Sequence, residues 1–239
     1  MPQHIDPSSV TTGTVFCVAK NYPEHAREML LWDDPTTEGT PLPDEEPVIF
    51  LKPASSISTD GITGIPSFNG KPVSGNLHYE AELILLIGRD CENCSLHEAL
   101  QAVKGYGIGL DMTLRDVQLA AKKEGNPWLK SKGFRNSALI SEIIPRAEAG
   151  NWQDLEFILE HNGKRVQHGK AASMIFSPIY LVHYLSYLYG LRRGDLVFTG
   201  TPSGVGRVVP GDHLKATLFH REILSDTDAA MLALKACVI

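Results

Sequence analysis

His78-Tyr-Glu-Ala-Glu82 sets two carboxylates two residues apart at the head of an apolar run, Leu83 to Ile87. Alternate residues of a strand project to one face, so Glu80 and Glu82 would stand side by side. Their mutual repulsion is offset by a hard divalent cation, and oxygen ligands suit Mg²⁺ or Mn²⁺ better than Zn²⁺. A solvated strand face accommodates the same pattern, and the pair alone leaves both readings open. Asp111 ends the glycine-rich apolar run Gly105-Tyr-Gly-Ile-Gly-Leu-Asp111 and could supply a third ligand. Arg115 and Gln118, three apart in the helix that should follow, share a face with it. Arg115 offers a bidentate fork for a carboxylate and Gln118 a neutral amide, although an exposed helix cation has the same spacing.

His25-Ala-Arg-Glu28 puts an imidazole and a carboxylate on one side of a helix, where they could share a water. A carboxylate-oriented histidine suits general-base work, and exposed helices also carry such pairs. Leu196 to Gly206 reads as a strand followed by a turn, with Thr199, Thr201 and bare backbone N–H groups at its end. It lacks the lysine and helix of a phosphate loop, and reads better as a loop holding a carboxylate or oxyanion.

The elements that must position these groups are mainly strands. Apolar or alternating runs predict strands at 15–19, 48–51, 77–87, 106–112, 196–199, 213–218 and 232–239. A hairpin over 157–167 should turn at Asn162-Gly163, a dipeptide that tolerates positive φ. Helices are expected at 22–32, at 95–104 with Ser95 and Glu98 as a capping pair, at 113–123 with Thr113 as N-cap, and at 177–189 before Gly190. Residues 33–47 hold six acidic residues, four prolines and no base. That composition cannot bury enough apolar surface to fix itself, and predicts a lid. Isolated helices among many strands, without a βαβ rhythm, indicate a β-rich α+β fold.

The chain has 239 residues, 43% of them hydrophobic, and a net charge of −6. Its size suits one generous domain or two small ones. The acidic balance argues against nucleic acid as a partner. No apolar run reaches the roughly 20 residues of a membrane helix, and the N-terminus lacks the pattern of a signal peptide. Cys91-Glu-Asn-Cys94 has the spacing of a redox or zinc motif, but no second Cys/His pair accompanies it. It reads as a surface turn with two free thiols, and reduced cysteines fit a cytoplasmic address.

Taken in order, Lys20-Asn-Tyr-Pro-Glu-His25, Phe50-Leu-Lys-Pro53, His78–Glu82, Leu110–Gln118, Pro127-Trp128 with Lys132, Gln167–Phe176 and Phe198–Gly206 resemble the fumarylacetoacetate hydrolase family. The matching span is about 15–220, and its nearest branch is the acylpyruvate hydrolases, fumarylpyruvate hydrolases and oxaloacetate decarboxylases. The resemblance implies a single catalytic domain over 1–239 of the family's C-terminal-domain type, with a lid at 29–47 and homodimer formation. It also implies Mg²⁺ or Mn²⁺ on Glu80, Glu82 and Asp111, and catalytic roles for His25, Glu28 and Lys132. Arg115, Gln118, Gln167 and Thr201 would bind substrate. The chain departs from the family at Lys20, where arginine is common, across Gly133–Ala138, and at Ala171 in place of threonine.

The reaction expected is cleavage of a carbon–carbon bond beside a small 2-oxo acid, through a metal-stabilised enolate. Hydrolysis of an acylpyruvate such as fumarylpyruvate is the leading form. Oxaloacetate decarboxylation, or isomerisation or decarboxylation of a 2-hydroxy-diene-dioate in aromatic catabolism, is the alternative. A far carboxylate on the substrate would need a cation such as Lys20, Lys52 or Arg135. A non-catalytic metal-stabilised binding protein and a thiol oxidoreductase using Cys91 are the readings from other classes.

Overall fold

The computed structural model describes residues 4–27, 46–221 and 230–239. Glu28 lies outside the described residues, as does the lid expected at 29–47 apart from Glu46 and Pro47. Residues 23–27, within the span of the first helix expected, are helical.

The strand-rich α+β fold read from the sequence is what the chain adopts. The larger sheet has eight strands. Its main path runs Val48–Lys52, Val15–Ala19, Leu196–Phe198, Ala81–Ile87, Val103–Asp111, Ala138–Ile140 and Ile57–Ser58, with Ile144–Pro145 also paired to Val103–Asp111. Leu83, Leu85 and Ile87 face the main core, whereas Ile84 and Leu86 face a second cluster with Val15, Cys17 and Phe198. Both faces of this strand are therefore buried, which is why its sequence is an unbroken apolar run. A five-stranded sheet holds the hairpin Leu155–His161 and Lys164–Lys170, then His213–His220, Leu232–Val238 and Ile62–Thr63. The hairpin turns at Asn162 and Gly163, with φ of 50° and 78°, as the dipeptide dictates.

Leu96–Ala102 is a helix started by the reciprocal Ser95–Glu98 capping box, and Pro178–Leu188 is capped by Ser177. These two helices pack on each other. Among the described residues no helix is long and apolar enough to cross a membrane.

Three local expectations are corrected. The strand expected over 77–87 is two strands, Leu77–Tyr79 and Ala81–Ile87, in different sheets. The chain changes sheet at Glu80, because Leu77–Tyr79 pairs with Thr113–Leu114 and Gly206–Val208 instead. Thr113 is not a helix cap: it sits in that small sheet opposite His78, and the helix begins at Arg115 without a side-chain cap. Threonine suits a cap as well as a strand, and the pairing with His78 decides between them. Finally, Cys91 and Cys94 are buried and joined by a disulfide, while Cys17 and Cys237 are free. Cys91 is drawn inward by a bridge to Leu191.

The strand bearing Asp111 depends on a bare backbone at Gly109, which lies directly opposite Glu82. A methyl there would meet Phe198 Cε1 at 2.7 Å and Ile84 Cγ2 at 2.9 Å. We expect Gly109→Ala to cost about 1–3 kcal/mol, the usual range for overpacking a filled core. Urea unfolding measures it, and an unchanged midpoint would show that the Phe198 ring can give way.

Candidate functional site

Glu82 stands at the start of Ala81–Ile87, Asp111 at the end of Val103–Asp111, and Glu80 at the joint between sheets. The Asp111 N–H donates to the Glu80 carbonyl at 2.8 Å, which carries the strand register one step past Ala81. Opposed residues of an antiparallel pair point to one face, so the three carboxylates converge. One oxygen from each lies within 4.8 Å of the others, and all three side chains are buried.

Three buried cations answer them. Arg115 pairs with Glu80 Oε1, Lys132 reaches Glu80 Oε2 and Asp111 Oδ2 at 2.6 Å each, and Lys52 Nζ lies 2.7 Å from Asp111 Oδ1. Lys52 also donates to the carbonyls of Met112, Lys132 and Ser137 and to the Ser137 hydroxyl. One ammonium thereby ties Asp111 to the segment that presents Lys132. Among the described residues Glu82 has no such cation; it accepts from the Gly200 N–H at 2.7 Å. Gly200 has φ of 98°, and a Cβ there would meet Asn21 Cβ at 2.7 Å, so only glycine brings this N–H to Glu82.

Titration follows from these partners. Burial pushes the Glu80 carboxyl up, but Lys132, Arg115 and then His25 overcome it and hold the group well below the usual range. Glu82 is raised well above it, by burial first and then by the charges of Asp111 and Glu80. Lys132 is raised because Asp111 and Glu80 outweigh its burial.

The donor set fits a hard divalent ion. All the converging atoms are carboxylate oxygens, and two buried polar atoms beside them lack a hydrogen-bond partner, Asp111 Oδ1 and Tyr22 Oη. Lys52 is near Asp111 Oδ1 but is aligned on carbonyls, so that oxygen keeps its lone pairs.

A pocket opens over the cluster. Its wall is Val18, Ala19, Lys20, His25, Phe50, Glu80, Glu82, Arg115, Gln118, Lys122, Trp128, Lys132 and Thr201. Of the residues singled out from sequence, His25, Lys132, Arg115, Gln118 and Thr201 meet here with two of the three carboxylates, and Asp111 lies beneath. Arg115 also donates to Gln118 Oε1, the three-residue neighbour on its helix. Gln167 is placed differently from the expected substrate contact. Its Oε1 accepts from the Ala81 N–H at 3.0 Å, and its Nε2 donates to Thr201 Oγ1 at 2.8 Å and the Pro202 carbonyl at 2.9 Å. Those bonds turn its amide toward the protein, where it steadies Thr201 beneath the pocket wall. Glu28 is outside the described residues.

Two residues have positioning roles that the sequence reading did not give them. Lys52 stood in Phe50-Leu-Lys-Pro53, but nothing in the motif signals that its ammonium is fully buried. Asn21 is also fully buried: its Nδ2 donates to the Thr199 and Phe176 carbonyls and its Oδ1 accepts from the Phe176 N–H. A polar residue two positions past the end of an apolar strand was the available clue.

Comparison with known proteins agrees with this geometry. The family model described as fumarylacetoacetate (FAA) hydrolase C-terminal matches residues 14–232. The chain is 40% identical over 205 residues to oxaloacetate tautomerase YcgM of Escherichia coli, covering 85% of this chain and 87% of that one. It is 37% identical over 203 residues to human mitochondrial oxaloacetate tautomerase FAHD1, with 84% and 85% covered. The crystal structure of fumarylpyruvate hydrolase from Pseudomonas aeruginosa, in complex with Mn²⁺ and pyruvate, superposes with a TM-score of 0.79 at 32% identity, covering 100% of this chain and 96% of that one.

Two outcomes test the site. Lys52→Met removes one partner of a buried pair and should cost about 3–5 kcal/mol in denaturant unfolding; a loss below about 1 kcal/mol would mean that Asp111 does not depend on it. Glu82→Gln keeps an oxygen for the Gly200 N–H and breaks no ion pair, so the fold should persist. Its Mn²⁺ affinity, measured by calorimetry, should fall at least about tenfold, since an amide is a poorer ligand than a carboxylate for a hard cation. An unchanged affinity would remove Glu82 from the ligand set.

Proposed function

The chain belongs to the fumarylacetoacetate hydrolase family, whose members are metal-dependent hydrolases, decarboxylases and isomerases, and on that premise we propose that it interconverts the enol and keto forms of oxaloacetate. The observation that carries this reading is the composition of the pocket: three carboxylates answered by three cations, with one imidazole in the wall. A divalent ion on Glu80, Glu82 and Asp111, Mg²⁺ or Mn²⁺ by the oxygen donors, would bring two positive charges to a balanced cluster. A substrate with two negative charges then meets matching positive charge at the cluster.

In the enol-to-keto direction a proton leaves the C2 hydroxyl, the double bond moves from C2–C3 to C2–O, and a proton arrives at C3. No bond between heavy atoms breaks. The ion, when bound, would supply Lewis acidity at the C2 oxygen. His25 stands in the wall as a group able both to give and to take a proton, and we assign it the proton at C3. Lys132 and Arg115 hold the Glu80 carboxyl in its charged form, Gln118 lies alongside to orient substrate, and the Thr201 hydroxyl, steadied by Gln167, faces the pocket to receive a carboxylate. Closing such a pocket from water strengthens each of these contacts.

This reading moves the hydrolase expectation to second place. Tautomerisation requires only a proton shuttle, a role open to His25 in the wall. Hydrolysis also requires an activated water, for which the sequence offered His25 with Glu28. The identities to YcgM and human FAHD1 support tautomerisation, whereas the likeness to the Pseudomonas enzyme supports fumarylpyruvate cleavage as the alternative.

Loss of enol absorbance from oxaloacetate tests the assignment. The rate with Mg²⁺ or Mn²⁺ should far exceed that of buffer with metal alone, vanish with chelator and return when the ion is restored. His25→Gln should lower it by about 10²-fold, the scale of a lost general acid–base group. If kcat/KM for fumarylpyruvate cleavage exceeds that for oxaloacetate tenfold, the enzyme is a hydrolase.

A further inference from the structure

Tyr22 takes no part in the proposed proton transfer, yet its neighbours build the site. It follows Asn21, whose amide is latched to the Thr199 and Phe176 backbone. It precedes the helical residues 23–27, which carry His25 into the pocket wall. The chain here is held on both sides: the Ile175 N–H donates to the Asn21 carbonyl and the Ala26 N–H to the Tyr22 carbonyl, each at 2.8 Å. The Tyr22 ring belongs to the main core and is 2% exposed. Phenylalanine would fill that space without burying a polar atom. Instead the ring carries a hydroxyl that is buried and, among the described residues, has no hydrogen-bond partner. Such a group destabilises the fold that holds it, and calls for an explanation in function or in a missing ligand.

The surroundings point to the acceptor. Asn21 lies against Gly200, where a Cβ would meet Asn21 Cβ at 2.7 Å, and the Gly200 N–H is the donor to Glu82. Burial raises the Tyr22 hydroxyl well above the usual tyrosine range and the Glu82 charge raises it further, so this carboxylate is the charge that the hydroxyl feels. Glu80 and Asp111 are each met by two cations. Glu82 has only the Gly200 N–H among the described residues. A carboxylate that ligates a metal ion is charged, and protein donors behind it set its orientation and affinity. A tyrosine hydroxyl can supply such a donor.

We propose that Tyr22 is a positioning residue of the metal site: with the ion bound, its hydroxyl donates to the Glu82 carboxylate and fixes that ligand in place. The inference rests on the divalent-ion reading of the three carboxylates, and not on which reaction the loaded site performs.

Tyr22→Phe removes the hydroxyl and keeps the ring, so the core stays filled. Without metal the urea midpoint of this variant should stay unchanged or rise, because the lost hydroxyl had no partner. Its Mn²⁺ affinity, measured by calorimetry, should fall about tenfold or more, the scale of a lost outer-shell partner. A tyrosine that serves packing alone gives the reverse: a lower midpoint with unaltered affinity. Combining Tyr22→Phe with Glu82→Gln shows whether the hydroxyl acts through Glu82. On that background the further loss of affinity should shrink below about twofold, since the charged acceptor is gone and contacting residues are not additive. Unchanged affinity in the single variant, or a full tenfold further loss in the combined one, overturns the assignment. Failure of the unmodified protein to bind Mn²⁺ would overturn the ion and this role together. Mn²⁺ binding that depends on Tyr22, without tautomerisation, would remove the proposed reaction and leave the role of Tyr22 standing.

Discussion

The structure depends on the cost of gathering three carboxylates in one dry place. A buried charge without a partner is expensive, and here the compensation comes from separate parts of the chain. Lys52 leaves the strand after the 28–45 stretch, Arg115 opens a helix, and Lys132 ends a short one. Each of these elements is anchored by the cluster as much as it anchors it. The least compensated member, Glu82, is the one raised above the carboxylate range, so the strongest call for a further positive charge lies at Glu82.

Much of this was legible in the sequence. The buried strand, the hairpin, the capping box and the placement of Glu80 and Glu82 on one face follow from periodicity and turn chemistry, because those signals are local; the meeting of Asp111 with that pair was implied by the family resemblance. The unread parts are long-range. Nothing within Leu77–Ile87 says that the chain changes sheets at Glu80; the partners that impose it are at 113–114 and 206–208. Thr113 has the chemistry of a cap and is placed by His78 opposite it instead. Gln167 belongs to a motif that suggests substrate contact, yet its amide is saturated by Ala81, Thr201 and Pro202. Lys52 is the clearest case. The sequence offered it as a cation for a substrate carboxylate, and only the tertiary fold reveals an ammonium held among carbonyls. In each case the residue type was visible and its partner was not.

Several positioning contacts are backbone groups, which a reading of side chains does not reveal. The Gly200 N–H on Glu82, the Glu80 carbonyl receiving Asp111 N–H and the carbonyls around Lys52 all fix charged groups through main chain. Main-chain contacts allow side-chain substitution around them, whereas Gly200 and Gly109 permit little, since added atoms would strike Asn21, Phe198 or Ile84.

The place of Leu196–Phe198 in the larger sheet has a consequence for how the protein is made. This segment lies between Val15–Ala19 on one side and Ala81–Ile87 on the other, so two strands from the first half of the chain each keep one edge unpaired until the last quarter arrives. A ribosome must release about 200 residues before the central seam of the sheet can close, with Thr199, Gly200 and Thr201 delivered at the same moment. Until then the nascent chain exposes unpaired strand edges, the condition that makes large β-rich proteins reliant on chaperones. Completion of the site thus comes with the last seam of the sheet, and a chain halted before residue 196 would carry all three clustered carboxylates yet lack the loop that meets Glu82.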